Sequence, residues 1–300
     1  MTERRIPITT PLGDFEVWTH THGCNPDARV LLLHGGPGGT AEYFEGLTAE
    51  LVAAGFEVIE YDQLGSHRSD IPTDTSLWTL ERFIDELEQI RVALGLDHTN
   101  FFLLGHSWGG LLGIEYALAH GEHLKGLIVS NMMSSIPAYN RYATEVFFPA
   151  MDQDVLARVK ELEAAGQHTT DEYNALMMEH HYELHVLRAP FAEWPEPAVR
   201  SFDNSNMEIY VLMQGPSELG ASGILVEWDR FDDLHMIDTP ALVISAEHDT
   251  MDPVHMSQMA ERMPRSELLH CPNGSHMAMW DDSEVYAAGV VTFLTKVSTP

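Results

Sequence analysis

The run Phe101-Phe102-Leu103-Leu104-Gly105-His106-Ser107-Trp108-Gly109-Gly110-Leu111-Leu112-Gly113-Ile114 passes from a short apolar segment through a G-x-S-x-G turn into a second apolar segment. It reads as a buried strand, a sharp turn and a helix, with the serine hydroxyl held out at the top of a sheet as a nucleophile elbow. The glycines serve a steric purpose. Side chains beside the serine would strike the neighbouring strand and helix, and glycine reaches tight backbone angles at least cost. Such a motif also recurs by chance in ordinary strand-turn-helix units, so the reading depends on whether partners for Ser107 stand at the ends of other strands.

Upstream, residues 4–9 and 13–21 read as two strands around Pro11-Leu12-Gly13-Asp14. Ala28-Arg29-Val30-Leu31-Leu32-Leu33 is a β-rich apolar run suited to a central parallel strand covered on both faces. It ends in His34-Gly35-Gly36-Pro37-Gly38-Gly39, and glycines at this density let backbone N–H groups point into a cavity. Gly35 or Gly36 is the candidate to share an oxyanion with the N–H of Trp108. A phosphate-binding loop would require Gly-Lys-Ser/Thr to follow, and it does not. Residues 41–54 read as a helix and Glu57–Tyr61 as a strand. Leu80, Phe83, Ile84, Leu87, Ile90 and Leu94 recur at three and four residues, one face of an amphipathic helix.

Downstream, the elbow helix runs to His120 and Leu124–Ser130 is another strand; strands alternating with helices in this way give a parallel sheet. From about residue 132 to 235 the alternation stops. Helical pieces rich in methionine, histidine and aromatics follow, broken at Pro137, Pro149, Pro190, Pro195, Pro197 and Gly215-Pro216, and the expectation is a lid over the carboxyl ends of the sheet. The sheet resumes at Pro240–Ala246, with Glu247-His248-Asp249 at that strand's end. Residues 253–263 form a helix, Glu267–His270 a last strand, Asn273-Gly274-Ser275-His276 the loop beyond it, and Trp280 to Val297 a closing helix. No internal repeat stands out.

Composition narrows the function classes. A formal charge of −30, from 46 acidic and 16 basic residues, repels nucleic-acid phosphates and anionic lipid headgroups. Only Lys125, Lys160 and Lys296 represent lysine, which fits either a salt-rich cytoplasm or an arginine-favouring genome. No apolar run approaches a membrane span and the N-terminus lacks a signal core, so a soluble cytoplasmic protein is expected. Cys24 and Cys271 are too few for a disulfide framework, lack metal-ligand spacing, and read as buried bystanders. His180, His181 and His185 sit on a helical stretch without a carboxylate motif, so packing is their expected role; no metal or cofactor is expected.

Ser107, Asp249 and His276 thus stand in the order nucleophile, acid, base, each at a strand's carboxyl end, as an α/β-hydrolase requires. The expected fold is a mostly parallel central sheet, residues 1–131 and 236–300, with residues 132–235 as an inserted helical cap. A dehalogenase or epoxide hydrolase is disfavoured, because those need a carboxylate nucleophile where Ser107 stands.

His34–Gly39, Tyr61-Asp62-Gln63-Leu64-Gly65, Gly105–Gly110, Gln214-Gly215-Pro216-Ser217-Glu218 and Ser275–Trp280 together resemble the proline iminopeptidase family, which includes tricorn-interacting aminopeptidases and amino acid amide hydrolases. The resemblance covers nearly the whole chain. It implies removal of an N-terminal residue, often proline, from short peptides, amides or arylamides, with lid-side glutamates holding the free α-amine. Glu218 matches one of these, and Tyr210 is a candidate pocket residue nearby. A second amine-binding glutamate follows the triad aspartate in many relatives; here that position is Thr250, with Asp252 and Glu247 as candidates to compensate. Losing one carboxylate costs roughly ten- to a hundredfold in discrimination for a charged amine. His67 also replaces a glycine of the family's loop after Asp62. A carboxylesterase, lactonase or amidase without a free-amine requirement, and a non-catalytic ligand-binding protein on the same fold, stay open, as does the oligomeric state.

Overall fold

In the computed structural model, which describes residues 2–299, eight strands make one sheet. They are β1 (Thr2–Thr10), β2 (Gly13–His22), β3 (Arg29–Leu33), β4 (Glu57–Asp62), β5 (Phe101–His106), β6 (Gly126–Ser130), β7 (Ala241–Ala246) and β8 (Ser266–Cys271). The spatial order is β1-β2-β4-β3-β5-β6-β7-β8. β1 and β2 form the expected antiparallel hairpin, β2 joins β4 antiparallel, and β3 to β8 run parallel.

The central strands read as unbroken apolar runs because both of their faces are covered. In β3, Leu31 and Leu33 enter one core while Val30 and Leu32 enter the other; in β5, Phe101 and Leu103 part from Phe102 and Leu104 in the same way. All eight side chains are fully buried. The period-two alternation of a strand therefore divides apolar residues between two cores instead of separating apolar from polar. The helices Leu80–Leu94, Trp108–His120 and Pro253–Arg262 cover the first face, and Glu45–Ala53 and Ser283–Ser298 the second. Local signals end these helices as their sequence suggests: Thr79 caps the start of Leu80–Leu94 and Gly95, at φ 65°, stops it.

Between Ser130 and Ala241 no residue joins the sheet. The segment holds the helices Ile136–Tyr142, Gln153–Ala164, Asp171–Met177, Glu196–Asp203 and Met207–Met213 with shorter pieces between them, and its one strand-like contact is a bridge from Ser135 to Asp229. Pro137 and Pro197 open helices rather than break them, because the first turn has no use for the N–H that proline lacks. Val159, Leu162, Tyr173, Met177 and Leu219 form a small core within the segment. Other parts of it, including Tyr139, Ile209 and Met213, belong to the main core beneath.

Two further details differ from expectation. The closing helix is split at Asp282 into Ala278–Asp281 and Ser283–Ser298, and Cys24 is exposed rather than buried, unlike Cys271. Among the described residues no helix is long and apolar enough to cross a membrane.

Candidate active site

The site lies at the carboxyl ends of the parallel strands, where loops from several strands converge. Ser107 follows β5 with φ 55° and ψ −127°, a strained conformation for a residue with a side chain. The surroundings hold it there. A Cβ on Gly105 would collide with the Gly109 carbonyl, and one on Gly109 with the Leu33 carbonyl, so the turn closes only with glycine at both places. Ser107 N–H donates to the Ser130 carbonyl at 3.0 Å, and the Ser107 carbonyl accepts the N–H groups of Gly110 and Leu111.

His276, after β8, is brought against this serine. Its Nε2 is 2.9 Å from Ser107 Oγ and its Nδ1 is 2.8 Å from Asp249 Oδ1. All three residues are buried. Burial by itself would lower the pKa of His276, but the charge and hydrogen bond of Asp249, reinforced by Glu218, outweigh it and leave the imidazole above its ordinary value.

The carboxylate of Asp249 has further donors that sequence reading missed. Asn131 Nδ2 donates to Oδ2 at 2.7 Å, while Met251 N–H and Thr250 Oγ1 donate to Oδ1 at 3.2 and 3.3 Å. Asn131 stands just past β6 at φ 52°, with its N–H given to the Ile244 carbonyl. Its amide oxygen accepts from Ser130 Oγ at 2.7 Å, and that hydroxyl is 2.8 Å from Tyr286 Oη. A fully buried polar chain therefore runs from the closing helix through Ser130 and Asn131 to the acid.

A second chain joins the glycine loop to the base. Gly35 N–H donates to Tyr43 Oη at 2.7 Å, Tyr43 Oη is 2.9 Å from His106 Nδ1, and His106 Nε2 is 2.8 Å from the His276 carbonyl. A carbonyl can only accept, so His106 carries its proton on Nε2 and Tyr43 donates to Nδ1. Burial, with the neighbouring His276, pushes His106 down to about 3, which keeps the ring neutral. This corrects one half of the oxyanion expectation. The Gly35 N–H is spent on Tyr43, which leaves Gly36, beside Ser107 and Trp108 in a narrow cleft, as the remaining candidate. Trp108 begins its helix, where the first N–H groups have no intrahelical acceptor, and its indole donates to Gln63 Oε1 at 2.8 Å.

Residues 28–283 match the sequence family described as the alpha/beta hydrolase fold. The chain is 48% identical to a proline iminopeptidase of Flavobacterium johnsoniae over 293 residues, and 49% identical to one of Elizabethkingia meningoseptica over 296, covering 98% of each chain in both comparisons. This chain belongs to the proline iminopeptidase family of α/β hydrolases. A solved proline iminopeptidase of Mycobacterium smegmatis superposes with a TM-score of 0.84 at 29% identity over 99% of both chains. A solved protein named VinJ does so with 0.89 at 28% identity, over 98% of this chain and 99% of its own.

The candidate residues carried by the proline iminopeptidase pattern have distinct surroundings. Glu218 enters from the helical segment and borders both the narrow cleft and a cavity of about 500 Å3 that Ser107 and His276 also line. Tyr210 Oη donates to Glu218 Oε1 at 2.5 Å, so this candidate pocket residue orients the glutamate. The Glu218 carbonyl accepts from Tyr139 Oη at 2.6 Å and lies 3.2 Å from His181 Nε2. Thr250, by contrast, faces inward: its hydroxyl lies 3.3 Å from both Asp249 Oδ1 and His276 Nδ1. Neither proposed substitute for the second glutamate reaches the cavity. Glu247 is exposed and pairs with His270 at 3.4 Å, while Asp252 caps the helix Pro253–Arg262 through the Val254 N–H. The acid besides Glu218 that does line the cavity is Asp203, at the end of Glu196–Asp203, a position that no sequence motif singles out.

His181 and His185 pack as expected. His181 is buried, while the His185 carbonyl accepts the His276 N–H at 2.9 Å and its Nδ1 lies 3.0 Å from the His248 carbonyl.

Proposed function

We propose that this protein is a serine aminopeptidase that releases an N-terminal proline, or another small apolar residue, from short peptides and amino acid amides through an acyl-enzyme. The observation that carries the reading is the file Ser107–His276–Asp249, at 2.9 and 2.8 Å, opening into a cavity that Glu218 borders from the other side. The names of the relatives agree with it. Residues 132–235 act as a cap that brings Glu218 over the nucleophile, and the cytoplasm is the proposed site of action.

In this mechanism His276 takes the Ser107 proton as Oγ attacks the scissile carbonyl carbon. The N–H groups of Gly36 and Trp108 stabilise the tetrahedral oxyanion, each contributing roughly 3 to 4 kcal/mol. His276 then passes the proton to the departing amine, and a water activated by the same imidazole cleaves the acyl-enzyme. Asp249 fixes the tautomer and stabilises the imidazolium. Tyr210 occupies Glu218 Oε1, which leaves Oε2 for the protonated α-amine of the substrate. The narrow cleft has Leu111, Met132, Ile136, Leu225 and Met251 in its walls, an apolar lining that matches the chemistry of a proline side chain, while the room for a substrate lies in the adjoining cavity of about 500 Å3.

A fluorophosphonate probe tests the nucleophile. Mass spectrometry is expected to find the adduct on the peptide containing Ser107, with competition by a prolyl arylamide; absence of labelling in active protein would sink the assignment. A second reading, hydrolysis of esters or amides without a free amine, draws on Thr250, which offers the substrate no carboxylate.

A further inference from the structure

On the sheet face covered by Glu45–Ala53, away from the serine, two imidazoles and a carboxylate converge. His20 and His22 are two residues apart on β2 and so share a face, and Glu60 is the β4 residue directly opposite His20. The two rings lie 4.0 Å apart, and the ligand atoms of all three residues fall within 4.8 Å of one another. From these positions we infer a binding site for a divalent transition metal of the zinc class, held by His20, His22 and Glu60, that pins the N-terminal hairpin to the parallel sheet.

The carboxylate is the strongest indication. The Glu60 side chain is 5% exposed, and among the described residues no arginine or lysine pairs with it. Its Oε1 accepts from Thr48 Oγ1 at 2.7 Å, which leaves Oε2 aimed at His22 Nε2 at 3.2 Å. That nitrogen is buried without a hydrogen-bond partner. Two buried ligand atoms at this spacing match the edge of a tetrahedron around zinc, about 3.3–3.4 Å for bonds of about 2.0–2.1 Å. The remaining separations, up to 4.8 Å, have to close for a metal to bind, and His20 and His22 are the half-buried members of the set. Two histidines and one carboxylate leave a fourth position for water, and the protein's charge of −30 favours any cation.

A second group, Glu88, His120 and His123, shows by contrast what a satisfied carboxylate looks like. Arg91 holds both Glu88 oxygens at 2.8 and 2.6 Å and Tyr116 Oη donates at 2.7 Å, so a metal there would have to displace a guanidinium.

The test uses chelator-treated full-length protein titrated with Co2+ and with Zn2+. One equivalent of Co2+ is expected to give the visible absorption of a four- or five-coordinate site, and Zn2+ at about 100-fold over its Kd to raise Tm by about 5 °C. His20→Ala and Glu60→Gln are expected to weaken binding at least tenfold and remove the band, while His120→Ala keeps both. Absence of stoichiometric binding by the wild type, or a band that survives in His20→Ala, overturns the assignment. His20 lies at the surface edge of the cluster, so its variant decides the matter even if Glu60→Gln fails to fold. A contact between His22 and Glu60 that merely shares a proton predicts no Co2+ band at all.

Discussion

Asn131 holds the carboxylate of Asp249, the proposed acid, as the glycines of the turn hold Ser107, the proposed nucleophile. It gives one amide hydrogen to Asp249 and accepts from Ser130, so its removal leaves a buried carboxylate one donor short. A hydrogen bond to a charged group contributes roughly 1.5–3 kcal/mol, and Asn131→Ala is expected to lower kcat for a prolyl arylamide about 10- to 100-fold with KM little changed. Equal losses in kcat and in substrate affinity would instead assign Asn131 to substrate binding. Glu218 has an electrostatic effect separable from any role toward an amine. It helps hold His276 above its ordinary pKa, so Glu218→Gln lowers that value and shifts the acid limb of kcat/KM toward lower pH. An ester without an amine group is the proper substrate for this profile, and an unmoved limb would show that Glu218 and His276 do not communicate.

At the scale of elements, two of the attachments that fasten the helical segment to the core bear on the site. His185 and Val186 accept the N–H groups of His276 and Met277 at 2.9 and 2.8 Å, which couples the segment's backbone to the loop of the base. On the other side, Arg200 of Glu196–Asp203 meets Glu42 at 2.8 Å and also pairs with Glu45, while Thr40 and Ser201 hydroxyls lie 3.0 Å apart. Glu42 is almost fully buried, so Arg200→Ala leaves its charge with only Thr40 and Asn204 as donors. Hydrogen exchange over residues 196–203 is expected to accelerate about 10- to 100-fold, with exchange in β5 unchanged. Uniform acceleration would mean that the segment does not open separately from the sheet.

The strands, the amphipathic helix Leu80–Leu94 and the order of Ser107, Asp249 and His276 were legible because each is written in contiguous residues: apolar runs, three-and-four spacing, a glycine turn. Asn131 was not, because its importance comes from β6 lying between β5 and β7, a relation that appears only in the assembled sheet. Likewise, no local pattern reveals that Tyr43 claims the Gly35 N–H or that Thr250 turns inward. Pro137 and Pro197 read as helix breaks because a proline at a first turn and one at an interior look alike in sequence, whereas Pro190, Pro195 and Pro216 do stand between helices.

For the whole molecule, buried neutral histidines set the response to acid. His106 and His181 are each pushed down to about 3, chiefly by burial, against about 6.5 in the unfolded chain. Between these values the unfolded state binds protons that the folded state refuses, so stability falls as pH drops below 6.5, by about 1.4 kcal/mol per pH unit for each group. His276 acts in the opposite sense and in another window. Its folded pKa is raised, so its contribution is complete below 6.5 and is lost as pH rises through the folded value. Urea midpoints measured from pH 7 to 4 are expected to fall steadily, and His181→Phe to flatten the slope. A midpoint constant across that range would contradict the neutral buried state of these rings.

The most direct test of the central claim compares kcat/KM for proline arylamide with that for its N-acetylated form, in the wild type, Glu218→Ala and Ser107→Ala. An amine-anchored serine aminopeptidase predicts that the free-amine substrate wins by about 10- to 100-fold, that Glu218→Ala erases this preference, and that Ser107→Ala is inactive. Equal cleavage of both substrates by the wild type would contradict it and leave Glu218 without a role in recognising the amine.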